Sequence, residues 1–153
     1  MGVTMRNPRL LATLAMSLAL GLAAPALHAQ PKQASGPVHV VYHVNENNAQ
    51  ALNALRNIRN HLSADPAARI VVVTHAGGVQ FLLDGALDAN GAPFDAAVQE
   101  LKGKGVDFRV CRFTLERNKI DPEKLLPEAT LVPSGVAEVA RLQFKEGYAY
   151  LRP

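Results

Sequence analysis

The most reactive side chain in this sequence of 153 residues belongs to its single cysteine, Cys111. A cysteine thiolate is a nucleophile, and its pKa falls beside a cation or at the start of a helix. Residues 106–110 carry strand-favouring valine and phenylalanine side chains, and Arg112 follows the cysteine directly. The pattern predicts a strand that ends at Cys111 and a helix that begins soon after it.

Two interpretations of Cys111 follow from its type and position. In the first, it is a nucleophilic thiolate at the rim of a sheet, with Arg112 stabilising the charged form. In the second, it is a core side chain, because free cysteine is among the most buried residue types. The residues alone support both interpretations equally.

Polar side chains also follow other predicted strands, namely Asn45, His75 and Ser134. The carboxyl ends of parallel strands meet at one edge of a sheet, where ligands bind in such folds. His75 has the chemistry to orient or deprotonate a nucleophile, although a loop histidine bonded to backbone is the commoner case. Gly77 and Gly78 have backbone N–H groups that suit an anion, although a plain turn is the simpler interpretation.

Two further patterns are weighed and set aside. Cys111 and Arg117 have the cysteine-five-residues-arginine spacing of phosphatase and arsenate-reductase loops, which hold an oxyanion. The segment has no glycine and carries Glu116, so we interpret this spacing as accidental. His39 and His43 share a strand face but lie about 13 Å apart at the usual rise, so they cannot chelate one ion. We assign no metal and no cofactor.

Residues 1–29 have the build of a secretory signal peptide. Arg6 and Arg9 precede an uncharged, apolar run at residues 10–24, and small residues before Ala29 suit a cleavage site. This run is shorter than the ~20 residues that a membrane-spanning helix needs. We therefore expect cleavage after Ala29 and a periplasmic or secreted protein without a stable membrane span.

The remainder is predicted to consist of a flexible leader at residues 30–37 and one domain at residues 38–153. Residues 1–29 carry two arginines and no acidic residue, so their removal lowers the formal net charge of +3. No basic stripe remains that would indicate nucleic-acid binding.

Apolar periodicity along the domain alternates between strand and helix. Strands are predicted at residues 38–44, 69–74, 106–110, 129–132 and 148–151. Helices are predicted at residues 49–64, from Pro93 until Gly103 and from Gly135 to Gly147, with Thr114 capping a further helical turn. The side chains of the last helix expected to face the core are Val136, Val139, Ala140 and Leu142. The alternation predicts an α/β domain whose mostly parallel sheet has helices on both faces.

Stretches that span nearly the whole domain resemble the DsrE/DsrF-like family, in particular its small exported members. These stretches are residues 51–62, 70–79, 105–111, 132–139 and 143–150. The resemblance implies a flavodoxin-like α/β fold and assembly into homo- or hetero-oligomers, often trimers or hexamers. It also implies sulfur relay, in which a cysteine carries sulfane sulfur as a persulfide and passes it to a partner protein.

The leading functional hypothesis is therefore an exported thiol protein that accepts or hands on sulfur at Cys111, as a sulfurtransferase-like carrier rather than a turnover enzyme. Asn45, His75 and Ser134 are expected to line its pocket, and Arg112 to stabilise the thiolate. Its expected partners are further copies of itself and a protein that donates or accepts sulfur. The alternatives are a non-catalytic binding or assembly module with a structural cysteine, and a small oxyanion-handling enzyme.

Overall fold

The computed structural model describes residues 1–2 and 36–153. The expected signal peptide, and all of the leader before residue 36, lie outside the described residues apart from the first two. No helix in the described part is long and apolar enough to cross a membrane.

At least one helical segment separates each strand of residues 38–153 from the next, as the periodicity predicted. The strands are β1 (His39–Val44), β2 (Arg69–Thr74), β3 (Asp107–Cys111), β4 (Ala129–Val132) and β5 (Ala149–Leu151). The α-helices are α1 (Asn48–Ala64), α2 (Asp95–Gly103), α3 (Arg112–Asn118) and α4 (Gly135–Glu146). Two 3₁₀ helices complete the order, Ala76–Leu82 after β2 and Pro122–Lys124 before β4.

The five strands form one sheet in the order β4-β3-β2-β1-β5. Every pairing between neighbours is parallel, which confirms the predicted mostly parallel sheet. The chain moves one way across the sheet from β1 to β4. It then returns through α4 to add β5 at the opposite edge.

Helices cover both faces of the sheet, as predicted. On β1, Val40 and Tyr42 point into a large core that also contains Ile58 of α1 and Leu115 of α3. Val41 points to the opposite face, where it packs with buried side chains of α4 in a smaller core. The period of two along the strand therefore separates the residues of the two cores.

The helix after β3 differs in its start from the prediction. Thr114 was expected to cap it, but α3 begins at Arg112, and Cys111 takes the N-cap position. Thr114 instead lies in the first turn, where its hydroxyl oxygen accepts a hydrogen bond from the backbone N–H of Ala76. The residue is thus held by the loop after β2 rather than by its own helix.

The inner face of α4 also differs from the prediction. Val139 and Leu142 are buried as expected, but Val136 is 62% exposed, and Ala140 is exposed as well. Glu138 occupies the inner position instead, because Arg109 of β3 pairs with its carboxylate from beneath. The inner face of α4 therefore combines the buried Val139 and Leu142 with an ion pair to the sheet.

Candidate functional site

A cavity of about 430 Å³ opens at the carboxyl edge of the sheet, where β2, β3 and β4 end. It is lined by His75, Ala76, Gly77, Cys111, Phe113, Thr114, Arg117, Asn118, Ser134 and Val136. Side chains or backbone from three strand ends and two helices therefore converge on one space.

The connectivity of the sheet explains why the cavity lies here. The chain leaves β3 into α3, which packs in the larger core, and leaves β4 into α4, which packs on the opposite face. Neighbouring strands whose following helices lie on opposite faces leave a crevice between their ends, and ligands bind there in open α/β sheets. Cys111 ends β3, and Ser134 lies two residues after the end of β4, so both flank this crevice.

Cys111 is held tightly by its surroundings. It pairs with Val132 across the sheet, and its exposed fraction is 5%. Because Cys111 lines the cavity, that space is where a small molecule meets its thiol.

The environment of the sulfur favours the thiolate. Burial is the largest single influence and raises the pKa of the Cys111 thiol. Against it act hydrogen bonds from the backbone N–H of Gly135, the Thr114 hydroxyl, and the N–H groups of Thr114 and Phe113. The net result is a pKa below the ordinary value for cysteine. Hydrogen bonds to a charged acceptor stabilise the ionised form, so these neighbours favour ionisation of the Cys111 thiol.

The close approach of Gly135 makes part of this arrangement possible. A Cβ atom at this position would lie 3.0 Å from the carbonyl oxygen of Thr74 and 3.2 Å from Cβ of Cys111. Only glycine fits at this distance without displacement, so α4 starts directly against the ends of β2 and β3. Its first N–H thereby reaches the Cys111 sulfur.

Gly77 and Gly78 are required by packing of the loop after β2. A Cβ at Gly77 would overlap the carbonyl oxygen of Glu46, and one at Gly78 would overlap that of Val44. Gly77 lines the cavity, whereas Gly78 is buried and donates its N–H to the carbonyl of His75 at 3.0 Å. The N–H of Gly78 is therefore engaged within the turn.

His75 forms the wall of the cavity at the end of β2. Burial lowers the pKa of its imidazole, so the ring is neutral at pH 7. The His43 ring packs against it with centroids 4.8 Å apart, and His43 Nδ1 in turn hydrogen-bonds the Tyr150 hydroxyl at 2.8 Å. A neutral imidazole has one ring nitrogen that can accept a proton and one that can donate a hydrogen bond, and it adds no charge to the cavity.

The structure places the other predicted site residues in two groups. Ser134 lines the cavity and caps α4, because its hydroxyl oxygen accepts a hydrogen bond from the N–H of Ala137 at 3.3 Å. Asn45 does not line the cavity, and its N–H donates to Gln50 in the loop that opens α1. Arg112 is exposed, and the hydrogen bonds that lower the Cys111 pKa come from other residues.

One face of α3 supplies lining residues that the sequence reading did not select. Phe113, Thr114, Arg117 and Asn118 have the one-and-four spacing of a helix face, and all four line the cavity. The spacing between Cys111 and Arg117, interpreted as accidental, thus brings both residues to one cavity. Residues 112–118 are helical, so they form no loop that could wrap an oxyanion.

These features define a class of protein: a parallel α/β domain with one cysteine in a cavity at the switch point of its sheet. The profile of the DsrE/DsrF-like family matches residues 38–153. The chain therefore belongs to the DsrE/DsrF-like family, as its sequence resemblance implied.

Solved structures agree with this assignment. The chain is similar to MTH1491 of Methanobacterium thermoautotrophicum, a protein described as of unknown function. The two are 34% identical with a TM-score of 0.67, over 76% of this chain and 99% of the other. The ychN protein of E. coli shares the fold at 14% identity and a TM-score of 0.62, over 74% of this chain and 96% of that one. No curated protein matched the sequence.

Proposed function

We propose that this protein accepts sulfane sulfur on Cys111 and hands it on, as a carrier rather than a turnover enzyme. The observation that carries the proposal is the position of Cys111, which lines a cavity at the end of β3 and whose thiol pKa is lowered by neighbouring donors. Membership of the DsrE/DsrF-like family adds support, because the family resemblance implies sulfur relay.

The chemistry needs only what the cavity offers. The Cys111 thiolate attacks the sulfane sulfur of a donor, a new S–S bond forms, and the donor's leaving group departs with the electron pair of the broken bond. The persulfide adds a second sulfur about 2 Å beyond Sγ. A partner's thiolate then attacks that outer sulfur, and the Cys111 thiolate leaves unchanged.

The burial of Cys111 bears on this second step. Its exposed fraction of 5% hinders a partner thiol from reaching Sγ directly. The outer sulfur of a persulfide would lie beyond Sγ, in a cavity whose lining includes Phe113, which is 57% exposed. Burial thus protects Sγ from attack, while the outer sulfur of the persulfide remains accessible for transfer.

The test is the intact mass of native protein after exposure to hydrogen polysulfide, followed by mixing with a thiol-bearing acceptor. We expect a gain of one sulfur atom on wild type, none on Cys111→Ser, and loss of that atom to the acceptor. If wild type gains no sulfur although its fold is intact, the carrier proposal is wrong.

A second candidate is a binding or assembly module in which Cys111 is structural, and the same 5% exposure favours it. In that case Cys111→Ala lowers the free energy of unfolding without weakening self-association or ligand binding. The carrier proposal instead expects a loss of function without a loss of fold. Cys111→Ser should remove sulfur uptake even when the variant folds normally.

The proposal includes export and self-assembly as a trimer or hexamer. The apolar stripe formed by Val136, Ala140 and Phe144 on α4 supports assembly, because Phe144 is 91% exposed and the other two are also exposed. Sedimentation of wild type and Phe144→Ser tests this part, and N-terminal sequencing of protein from the periplasm tests cleavage after Ala29. A monomeric wild type, or an uncleaved N-terminus, would contradict the respective claim.

A further inference from the structure

The cavity beside Cys111 has an unbalanced charge. Arg117 is the cation among its ten lining residues, and none of them is a carboxylate. Within residues 36–153, no carboxylate lies within ion-pair distance of Arg117. Glu116 and Arg112, four positions apart on α3, do not line the cavity. The charge of Arg117 is therefore available to an anion in this space.

The cavity is lined by two chemically different kinds of side chain. Phe113 and Val136 supply apolar surface, while Arg117 and Asn118 supply N–H donors. The volume of about 430 Å³ is more than ten times the ~30 Å³ that one water occupies in the liquid. A small molecule with a soft sulfur end and an oxyanion end could contact both kinds of side chain.

We propose that Arg117 selects sulfur donors whose leaving group is an oxyanion, of which thiosulfate is the smallest. The inference rests on the proposed sulfur-carrier function and adds the class of donor. The guanidinium presents a planar fork of donors that matches the oxygens of a sulfonate, and such charge-assisted pairs are strong. Held there, the donor directs its sulfane sulfur towards Cys111.

The step is balanced without any further reactant. The Cys111 thiolate attacks the outer sulfur of thiosulfate, and a bond forms between Sγ and that sulfur. The bond between the two thiosulfate sulfurs breaks, and sulfite leaves with its electron pair. Arg117 stabilises the charge that grows on the departing sulfite, so its contribution is largest in the transition state.

The experiment compares two donors on the same native protein. Thiosulfate releases sulfite, which is measured directly, while hydrogen polysulfide has a leaving group without oxygen. Sulfur uptake is followed for both donors by intact mass. The variants are Arg117→Ala, Arg117→Lys and, as a matched control, Arg112→Ala, which removes an arginine of the same helix that lies outside the cavity.

Loss of one charge-assisted contact predicts that Arg117→Ala slows uptake from thiosulfate by about tenfold or more. Uptake from polysulfide should change less than about twofold by the same reasoning, because its leaving group makes no such contact. Arg117→Lys should fall between wild type and alanine, since it keeps the charge but loses the fork. Arg112→Ala should behave as wild type with both donors.

The outcomes separate this inference from the function on which it rests. If wild type takes sulfur from polysulfide but not from thiosulfate, the carrier function stands and the role of Arg117 is wrong. The role is also wrong if Arg117→Ala slows both donors equally, or if Arg112→Ala slows thiosulfate as much. If wild type takes sulfur from neither donor, both proposals fail.

Discussion

Replacing Gly135 by alanine tests how closely the start of α4 controls the thiol. The added methyl group would lie 3.0 Å from the Thr74 carbonyl oxygen, 3.1 Å from His75 Cβ and 3.2 Å from Cys111 Cβ. Thr74 and Cys111 are buried, so α4 must move instead. Overpacking of this kind costs about 1–3 kcal/mol, and the helix preference of alanine returns at most about 1 kcal/mol. We expect a net loss of up to about 2 kcal/mol of unfolding free energy on this basis.

The same movement should change the reactivity of the thiol. The N–H of Gly135 donates to the Cys111 sulfur and lowers its pKa. A displaced α4 weakens this bond, so the pKa should rise and alkylation at neutral pH should slow. Denaturant unfolding gives the first quantity, and the pH dependence of the alkylation rate gives the second.

Gly103→Ala is the matched control, because a Cβ there would meet nothing within 4 Å and Gly103 also lies in a helix. It should be neutral or more stable by up to about 1 kcal/mol, with unchanged thiol chemistry. The reasoning is refuted if Gly135→Ala matches Gly103→Ala in stability. It is equally refuted if stability falls while the alkylation profile stays that of wild type.

Two further predictions concern the face covered by α4. Leu142 is fully buried in the smaller core. Leu142→Ala should therefore lower the unfolding free energy, measured by urea titration, by about 2–5 kcal/mol. A loss below about 1 kcal/mol would contradict this packing. The pKa of Glu138 is lowered, chiefly by its hydrogen bonds with Arg141 and also by Arg109. Because the folded pKa lies below the unfolded one, this stabilisation is full above the unfolded pKa and is lost as pH falls through the folded pKa. Glu138→Gln should therefore be less stable than wild type by about 1–3 kcal/mol at neutral pH and should converge with it in acid; a constant difference at every pH would refute this.

The fold was accessible from sequence because it depends on local patterns. Residues 70–74 are all β-branched, and residues 39–44 carry valine on both faces, as in a strand that is covered on both sides. Gly147 was expected to end the last helix, and it takes the C-cap position of α4 in the structure. The order of the strands does not follow from local patterns, because it depends on where α4 carries the chain after β4.

The site was only partly accessible for the same reason. Cys111, His75 and Ser134 were found because each follows a strand, and strand ends can be read from composition. Arg117 and Asn118 reach the cavity only because α3 begins at Arg112, and helix starts are uncertain by a residue or more. Position 77 requires glycine because a Cβ there would overlap the carbonyl oxygen of Glu46. Glu46 is distant in sequence, so no local pattern reveals this requirement.

The most direct test of the central claim is the rate at which iodoacetamide labels Cys111 in the native protein across pH. A thiol that lines a cavity and whose pKa is lowered by neighbouring donors should react without unfolding. Its rate should rise at a lower pH than that of a cysteine in a short unstructured peptide, since only the thiolate reacts. Labelling that occurs only after denaturation would show that Cys111 is a core side chain and would contradict the account.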